Sequence, residues 1–145
     1  MTWCLAAWFV LSQLGPRDEA IAKLEEYSKE YPQDTGGRFA AVQGLLYAAA
    51  GEKRRALDKI QSASKEKDFG HFHHTAHFIA SAYAQMSQPR LAIDWLKQAA
   101  ETGFPCYPLF ETDANLDPIR QEPRFAEFMA KQKAQWEHYK ATLLQ

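Results

Sequence analysis

The chain has 145 residues, of which 46% are hydrophobic and 24% are charged; these fractions are typical of one folded domain and exclude a disordered chain. Its 17 basic and 18 acidic side chains give a formal net charge of −1, and no basic run dominates, which argues against a nucleic-acid partner. Two distant cysteines form no disulfide framework, so we expect a reducing, cytoplasmic setting.

In chain order, the sequence shows helical patterns that follow one another in pairs. The apolar run 3–11 is too short to span a membrane and lacks the basic start of a signal peptide, so it predicts a helix and no membrane partner. Glycine, serine and proline clusters separate the patterns, and none alternates with the period of a strand. The predicted helices are 1–14, 18–31, 38–50, 53–66, 73–86 and 89–102.

The same small residue returns at a fixed spacing within these pairs. Ala20, Ala56 and Ala92 lie 36 residues apart, and each is followed four residues later by Leu24, Ile60 or Leu96. A period in this range is typical of stacked helical hairpins, because one hairpin cannot bury its apolar face alone. Small residues allow two antiparallel helices to approach closely, and we expect Gly44 and Ala80 to serve the same contacts.

These residues resemble the signature of the tetratricopeptide repeat (TPR) family, although the period is 36 instead of the usual 34. The matching positions are Leu11, Gly15, Ala20, Leu24 and Pro32, then Gly44, Tyr47, Gly51, Ala56, Ile60 and Ala63, then Ile79, Ala80, Tyr83, Ala92, Leu96 and Ala99. The resemblance implies an all-α fold, a right-handed α-α superhelix. It implies three TPR-like hairpins, about 1–36, 37–72 and 73–106, followed by a C-terminal capping helix in the same structural domain.

The remaining segment, 107–145, is predicted to be a proline-rich connector and one long amphipathic helix. A short helical turn is expected at 116–120, and the long helix begins after Pro123. Its predicted apolar stripe is Phe125, Phe128, Met129, Gln132, Trp136, Tyr139 and Leu143. This tail resembles the last TPR segment of bacterial multidomain signalling proteins such as serine/threonine kinases and transcriptional regulators, but no kinase motif is present.

The resemblance implies a concave groove lined by the first helix of each pair, which binds a peptide or helix of a partner protein. The predicted groove residues are Leu5, Phe9, Gln13, Arg38, Val42, Leu45, His74, His77, Phe78, Ser81 and Gln85. This set is largely apolar and suits an apolar partner segment. The same pattern also fits a groove that is partly filled by the C-terminal segment of this chain, and the sequence leaves both alternatives open.

The histidines of the GHFHHTAH segment are the one candidate metal site. His73 and His77 lie one helical turn apart and could share a metal, but helix-end and packing histidines are the favoured explanation of the pattern. Asp113 to Asp117 resemble the start of a calcium loop, but Pro118 and Arg124 stand where glycine and glutamate are required. No nucleophile motif is present. We therefore predict no catalytic residues, no cofactor and no enzymatic activity.

The first predicted helix is apolar on all sides, whereas an end repeat should have a polar outer face. Either a second copy covers it in a homodimer, or an upstream part of a longer array does. The leading prediction is a protein-binding scaffold. The alternatives are the C-terminal sensory or assembly segment of a larger bacterial signalling protein and, third, a histidine-based metal-binding protein.

Overall fold

The computed structural model describes residues 17–143, and the regular secondary structure of this range is entirely helical. The all-α class is thus confirmed for these residues, while their arrangement as a superhelix stays a prediction. The predicted helix 1–14, with Leu5, Phe9, Gln13 and the dimer surface assigned to it, lies outside the described residues. The α-helices are α1 (Arg17–Glu30), α2 (Arg38–Ala49), α3 (Lys53–Ser64), α4 (Phe72–Gln85), α5 (Pro89–Glu101), α6 (Tyr107–Thr112) and α7 (Pro123–Leu143), with a 3-10 helix at Ala114–Ile119.

The two hairpins α2–α3 and α4–α5 are closed by the same turn. The backbone N–H of Glu52 donates to the carbonyl of Tyr47 at 2.9 Å, and 36 residues later Gln88 donates to Tyr83 at 2.9 Å. The residue before each donor has a left-handed backbone, with φ of 80° at Gly51 and 56° at Ser87. This bond pattern satisfies the last carbonyls of a helix and reverses the chain within three residues. The predicted 36-residue period is therefore confirmed at the turns.

Close helix packing within α2–α3 depends on small residues. A Cβ atom added to Gly44 would lie 3.2 Å from Cγ1 of Ile60 and 3.5 Å from the carbonyl oxygen of Ala56. Ala56 is fully buried, as are Ala80 and Ala92 of the next hairpin. The first helices, α2 and α4, also pack directly against each other. Successive hairpins are thus stacked side by side through their first helices.

The turn before α2 is shaped by two glycines and one aspartate. The carboxylate of Asp34 accepts hydrogen bonds from the N–H groups of Phe39 at 3.0 Å and Ala40 at 2.8 Å, and so it caps the start of α2. Gly37 has a φ of 65°, and a Cβ there would lie 2.7 Å from the backbone of Ala63. The hydroxyl of Thr75 donates to the carbonyl of Gly36 at 2.6 Å, so this turn also fixes the start of α4.

A polar network attaches α1 to the first hairpin. The hydroxyl of Tyr47 donates to the carboxylate of Glu25, which also accepts from Arg55 at 2.7 Å. The Arg55 guanidinium lies 3.9 Å from the centre of the Tyr47 ring, a cation–π contact. Burial and the hydrogen bond to Glu25 raise the pKa of Tyr47 to about 12. The same hydrogen bond from Tyr47 and the charge of Arg55 keep the pKa of Glu25 below its ordinary value, against its partial desolvation.

Residues 107–143 occupy the place of one further hairpin. The 3-10 helix packs on α4, and α7 packs on α5 and α6. The second helices begin at Lys53, Pro89 and Pro123, with spacings of 36 and 34 residues. Here the first helix is broken in two, because Asp113 has an extended backbone with φ −70° and ψ 109°. The predicted short turn at 116–120 is therefore the 3-10 helix, and α6 was not predicted.

Only part of the predicted stripe on α7 is covered. Phe125, Phe128 and Gln132 are buried, whereas Tyr139 is 50% and Leu143 is 84% exposed. The first half of α7 is therefore packed on the core and its second half is largely exposed, while its role as a capping helix stays a prediction.

Candidate binding surface

The predicted groove residues that the structure describes lie on α2 and α4, but they differ in accessibility. His74 is exposed, and Arg38, Phe78 and Gln85 are half-buried. The other four are buried in the interior: Val42, Leu45, His77 and Ser81. These buried positions face neighbouring helices because each first helix packs against the next one on this side. Among the predicted groove residues in the described range, the side chains of four are therefore not buried.

His77 instead forms a buried pair with the C-terminal segment. Its Nε2 atom lies 3.1 Å from Oδ2 of Asp113, and the two side chains are only 4% and 2% exposed. The approach is not linear, so neither atom has a well-directed hydrogen bond. Burial opposes the charge of Asp113, but the contact with His77 and hydrogen bonds from Asn115 outweigh it and lower the pKa of the carboxyl.

A second polar link joins the same two elements. The amide of Gln85 donates to the carbonyl of Asn115 at 2.9 Å, two turns along α4 from His77. Between them the Ser81 hydroxyl is buried without a hydrogen-bond partner. Along this part of α4 the C-terminal segment of the chain itself provides the contacts. The segment from Asp113 to Asp117, which resembles the start of a calcium loop, has a structural role instead. Asp113 caps the 3-10 helix by accepting a hydrogen bond from the N–H of Asn115.

The accessible end of the surface is a basic–aromatic cluster, defined as Arg38, Phe69, His71, His73 and His74. The Arg38 guanidinium carbon lies 5.4 Å from the centre of the Phe69 ring, and that ring lies 6.1 Å from His71. The ring centres of His71 and His73 are 5.7 Å apart, and those of His73 and His74 are 4.3 Å apart. The cluster therefore runs continuously from the first turn of α2 to the first turn of α4.

Burial and the neighbouring basic groups lower the pKa of two histidines of the cluster. Although part of the His74 side chain is exposed, partial burial of its ring is the main cause of the shift, and repulsion from His73, Arg38, His71 and His77 adds to it, so that the pKa falls to about 4. Burial and repulsion from His71 and Arg38 also lower the pKa of His73. Both imidazoles are therefore neutral near neutral pH. Arg38 is the permanent charge of the cluster.

Aromatic rings lie among the histidines that were considered for a metal. The centre of the Phe104 ring lies 6.1 Å from His73, 4.9 Å from His74 and 5.7 Å from His77. In the range 17–143, no three histidine, cysteine or carboxylate groups are arranged to hold one ion. The ring of His77 is directed to Asp113, away from a site shared with His73. The geometry of these residues favours aromatic packing over chelation.

Sequence reasoning missed three contributors to this surface: Phe69, Phe104 and Asp113. A 36-residue step from His77 leads to Asp113, and this period is the signal that could have found the pair. Phe69 and Phe104 lie in irregular connections, where helical periodicity carries no information.

No family model, no curated protein and no solved structure matches the chain. The resemblance to the TPR family and to the tails of bacterial signalling proteins therefore stays a prediction. None of the helices between Arg17 and Leu143 has the length and apolar character needed to cross a membrane.

Proposed function

We propose that this protein is an interaction scaffold whose α2–α4 face binds a peptide or helix of a partner protein. The observation that supports this proposal is the direct packing of α2 against α4. It makes Arg38 and His74, 36 residues apart, neighbours on one surface, where the charge of Arg38 acts on the imidazole. Repeated helices that present equivalent residues in a row form an extended binding surface.

Each accessible residue has a distinct part in the proposed interaction. Phe78 is half-buried, with its ring beside His77 and the core residues of α2, and it supports the surface between the two ends. Arg38 and His74 at one end and Gln85 at the other fix the direction and register of the segment. The buried residues, such as Val42 and Leu45, make the surface rigid, which limits the entropy lost on binding. An ordinary interface would bury about 800 Å² per partner, often with about micromolar affinity when transient.

Catalysis is less well supported than binding by the described residues. The imidazole and carboxylate of His77 and Asp113 would be a candidate acid–base pair, but both side chains are almost fully enclosed. The buried Ser81 hydroxyl has the same limitation. A cleft of about 570 Å³ between α5 and α7 is lined mostly by charged side chains and lacks a histidine, cysteine or serine.

The experiment that tests the proposal is selection of binding peptides from a random library displayed on phage, with the full chain as bait. Selected peptides are then measured against His74→Glu, which changes an exposed residue of the face, and against Arg54→Glu, a matched control on the exposed side of α3. We expect peptides that lose affinity for the first variant and retain it for the second. Peptides that bind both variants equally, or a library that yields no binder, would contradict the proposal.

A further inference from the structure

Arg38 supplies the permanent positive charge of the basic–aromatic cluster. Among residues 17–143, the Arg38 guanidinium is in none of the ion pairs, which join other side chains within 4.0 Å. Its Nε atom is buried without a hydrogen-bond partner, so only the two terminal nitrogens of its guanidinium are available. A half-buried guanidinium with an aromatic ring beneath it and no carboxylate beside it is typical of a site that completes its contacts with a ligand.

None of the acidic groups near the cluster is paired with Arg38 among the ion pairs of residues 17–143, and Asp68, which precedes Phe69, is exposed and in none of these pairs. Asp34 caps α2 through two backbone N–H groups, and Asp113 contacts His77 in the interior. Glu66, in the connection between α3 and α4, accepts from the N–H of Gly36 at 3.4 Å. The basic side chains of Arg38, His71, His73 and His77 all lower the pKa of His74. The first turn of α4 is also uncapped by any side chain, so the positive end of its dipole adds to the field of Arg38.

We propose that this cluster is a carboxylate-binding site that receives an aspartate or glutamate side chain of the partner segment. The inference rests on the proposed function and names the chemistry of its partner. The Arg38 guanidinium pairs with the carboxylate, and the neutral imidazole of His74 donates a hydrogen bond. A carboxylate matches the site better than a phosphate, because Arg38 is one permanent charge and the neutral histidines next to it add none.

The probe for this site is acetyl-aspartate amide, added to the full chain near neutral pH at constant ionic strength. Acetyl-asparagine amide is the isosteric uncharged control, and inorganic phosphate is the competing anion. Proton–nitrogen NMR spectra report the backbone and imidazole signals of residues 71–74. We expect the aspartate probe to shift these signals and the asparagine probe to leave them unchanged. Equal shifts with both amides, or tighter binding of phosphate than of the aspartate probe, would overturn the inference.

Variants identify the residues responsible. Arg38→Gln should weaken binding of the aspartate probe by about 10-fold or more, because hydrogen bonds to a charged group are the strong ones. The matched control Arg54→Gln should bind it like the natural chain, since Arg54 lies exposed on α3. If Arg38→Gln unfolds, His74→Gln tests the same site at an exposed position and should also weaken binding. Unchanged affinity in the folded Arg38 or His74 variant would refute the assignment.

The outcomes also separate this inference from the proposed function. One outcome would overturn the carboxylate site and leave the scaffold function intact. In that outcome, the library peptides lose affinity for His74→Glu, contain no acidic residue and bind Arg38→Gln normally. Enrichment of acidic peptides whose affinity falls in Arg38→Gln supports both.

Discussion

Nε2 of His77 and Oδ2 of Asp113 lie 3.1 Å apart, with both side chains almost completely excluded from solvent. The two residues are separated by 36 positions, the same interval that relates the hairpin turns. A buried carboxylate and imidazole are costly to separate, because each loses its partner in a region without water. The pair therefore couples the C-terminal segment to α4.

Removing one member of this pair should strongly destabilise the fold. We expect Asp113→Ala to lower the free energy of unfolding by about 2–4 kcal/mol, since it leaves the buried imidazole without its neighbour and removes the cap of the 3-10 helix. Asp113→Asn should be milder because asparagine can still cap. Urea unfolding followed by circular dichroism measures the stability of both variants.

The control is Asp117→Ala in the same 3-10 helix. The Asp117 side chain is 62% exposed, and its ion pair with Arg120 should contribute under about 1 kcal/mol. Equal losses for Asp113→Ala and Asp117→Ala would contradict the coupling role.

Mild acid should destabilise the protein through His74. Its pKa is about 4 in the folded chain, below the ordinary value of 6.5. As the pH falls, the imidazole is therefore protonated in the unfolded chain before it is protonated in the folded chain. Protonation then favours the unfolded chain, so the free energy of unfolding is unaffected by this group above pH 6.5 and decreases as the pH falls from 6.5 toward 4. The melting temperature of the natural chain should fall across this window, and the slope should be shallower for His74→Gln. Identical slopes would show that this imidazole is not perturbed.

Two glycines with the same left-handed backbone should respond differently to alanine. At Gly37 the added Cβ meets the backbone of Ala63 at 2.7 Å, whereas at Gly51 no atom lies within 4 Å. Gly51→Ala therefore bears only backbone strain of about 1 kcal/mol, and Gly37→Ala should lose clearly more because helix α3 must also shift. Thermal unfolding of the two variants compares them directly. A greater loss for Gly51→Ala would mean that the turn before α2 is not packed as described.

The sequence predicted the helices well where small residues recur. The starts of α2, α3 and α5 were predicted at their observed residues, and those of α1 and α4 within one, because the 36-residue period and the glycine or proline breaks determine them. Ser87 shows the limit of residue type alone, since it adopts a left-handed backbone at the position that Gly51 holds in the preceding hairpin. Here the period predicts the turn and the residue type does not.

The site was less predictable because burial depends on what packs against each helix. Val42, Leu45, His77 and Ser81 have the helical spacing of groove residues, yet all are buried. Prolines 105, 108 and 118 concealed the helical character of the C-terminal segment, so its contacts with His77 and Gln85 could not be read from periodicity. The cluster around Arg38 depends on Phe69, a residue of an irregular connection whose position only the fold determines.

The most direct test of the account is the affinity of a library-selected peptide for His74→Glu compared with Arg54→Glu, measured by fluorescence anisotropy on folded full-length chains. A binding surface on the α2–α4 face predicts about a 10-fold or greater loss for the first variant, because His74 helps to fix the register of the bound segment, and less than about a 2-fold change for the second. Equal affinity for both variants would contradict a binding face at this position.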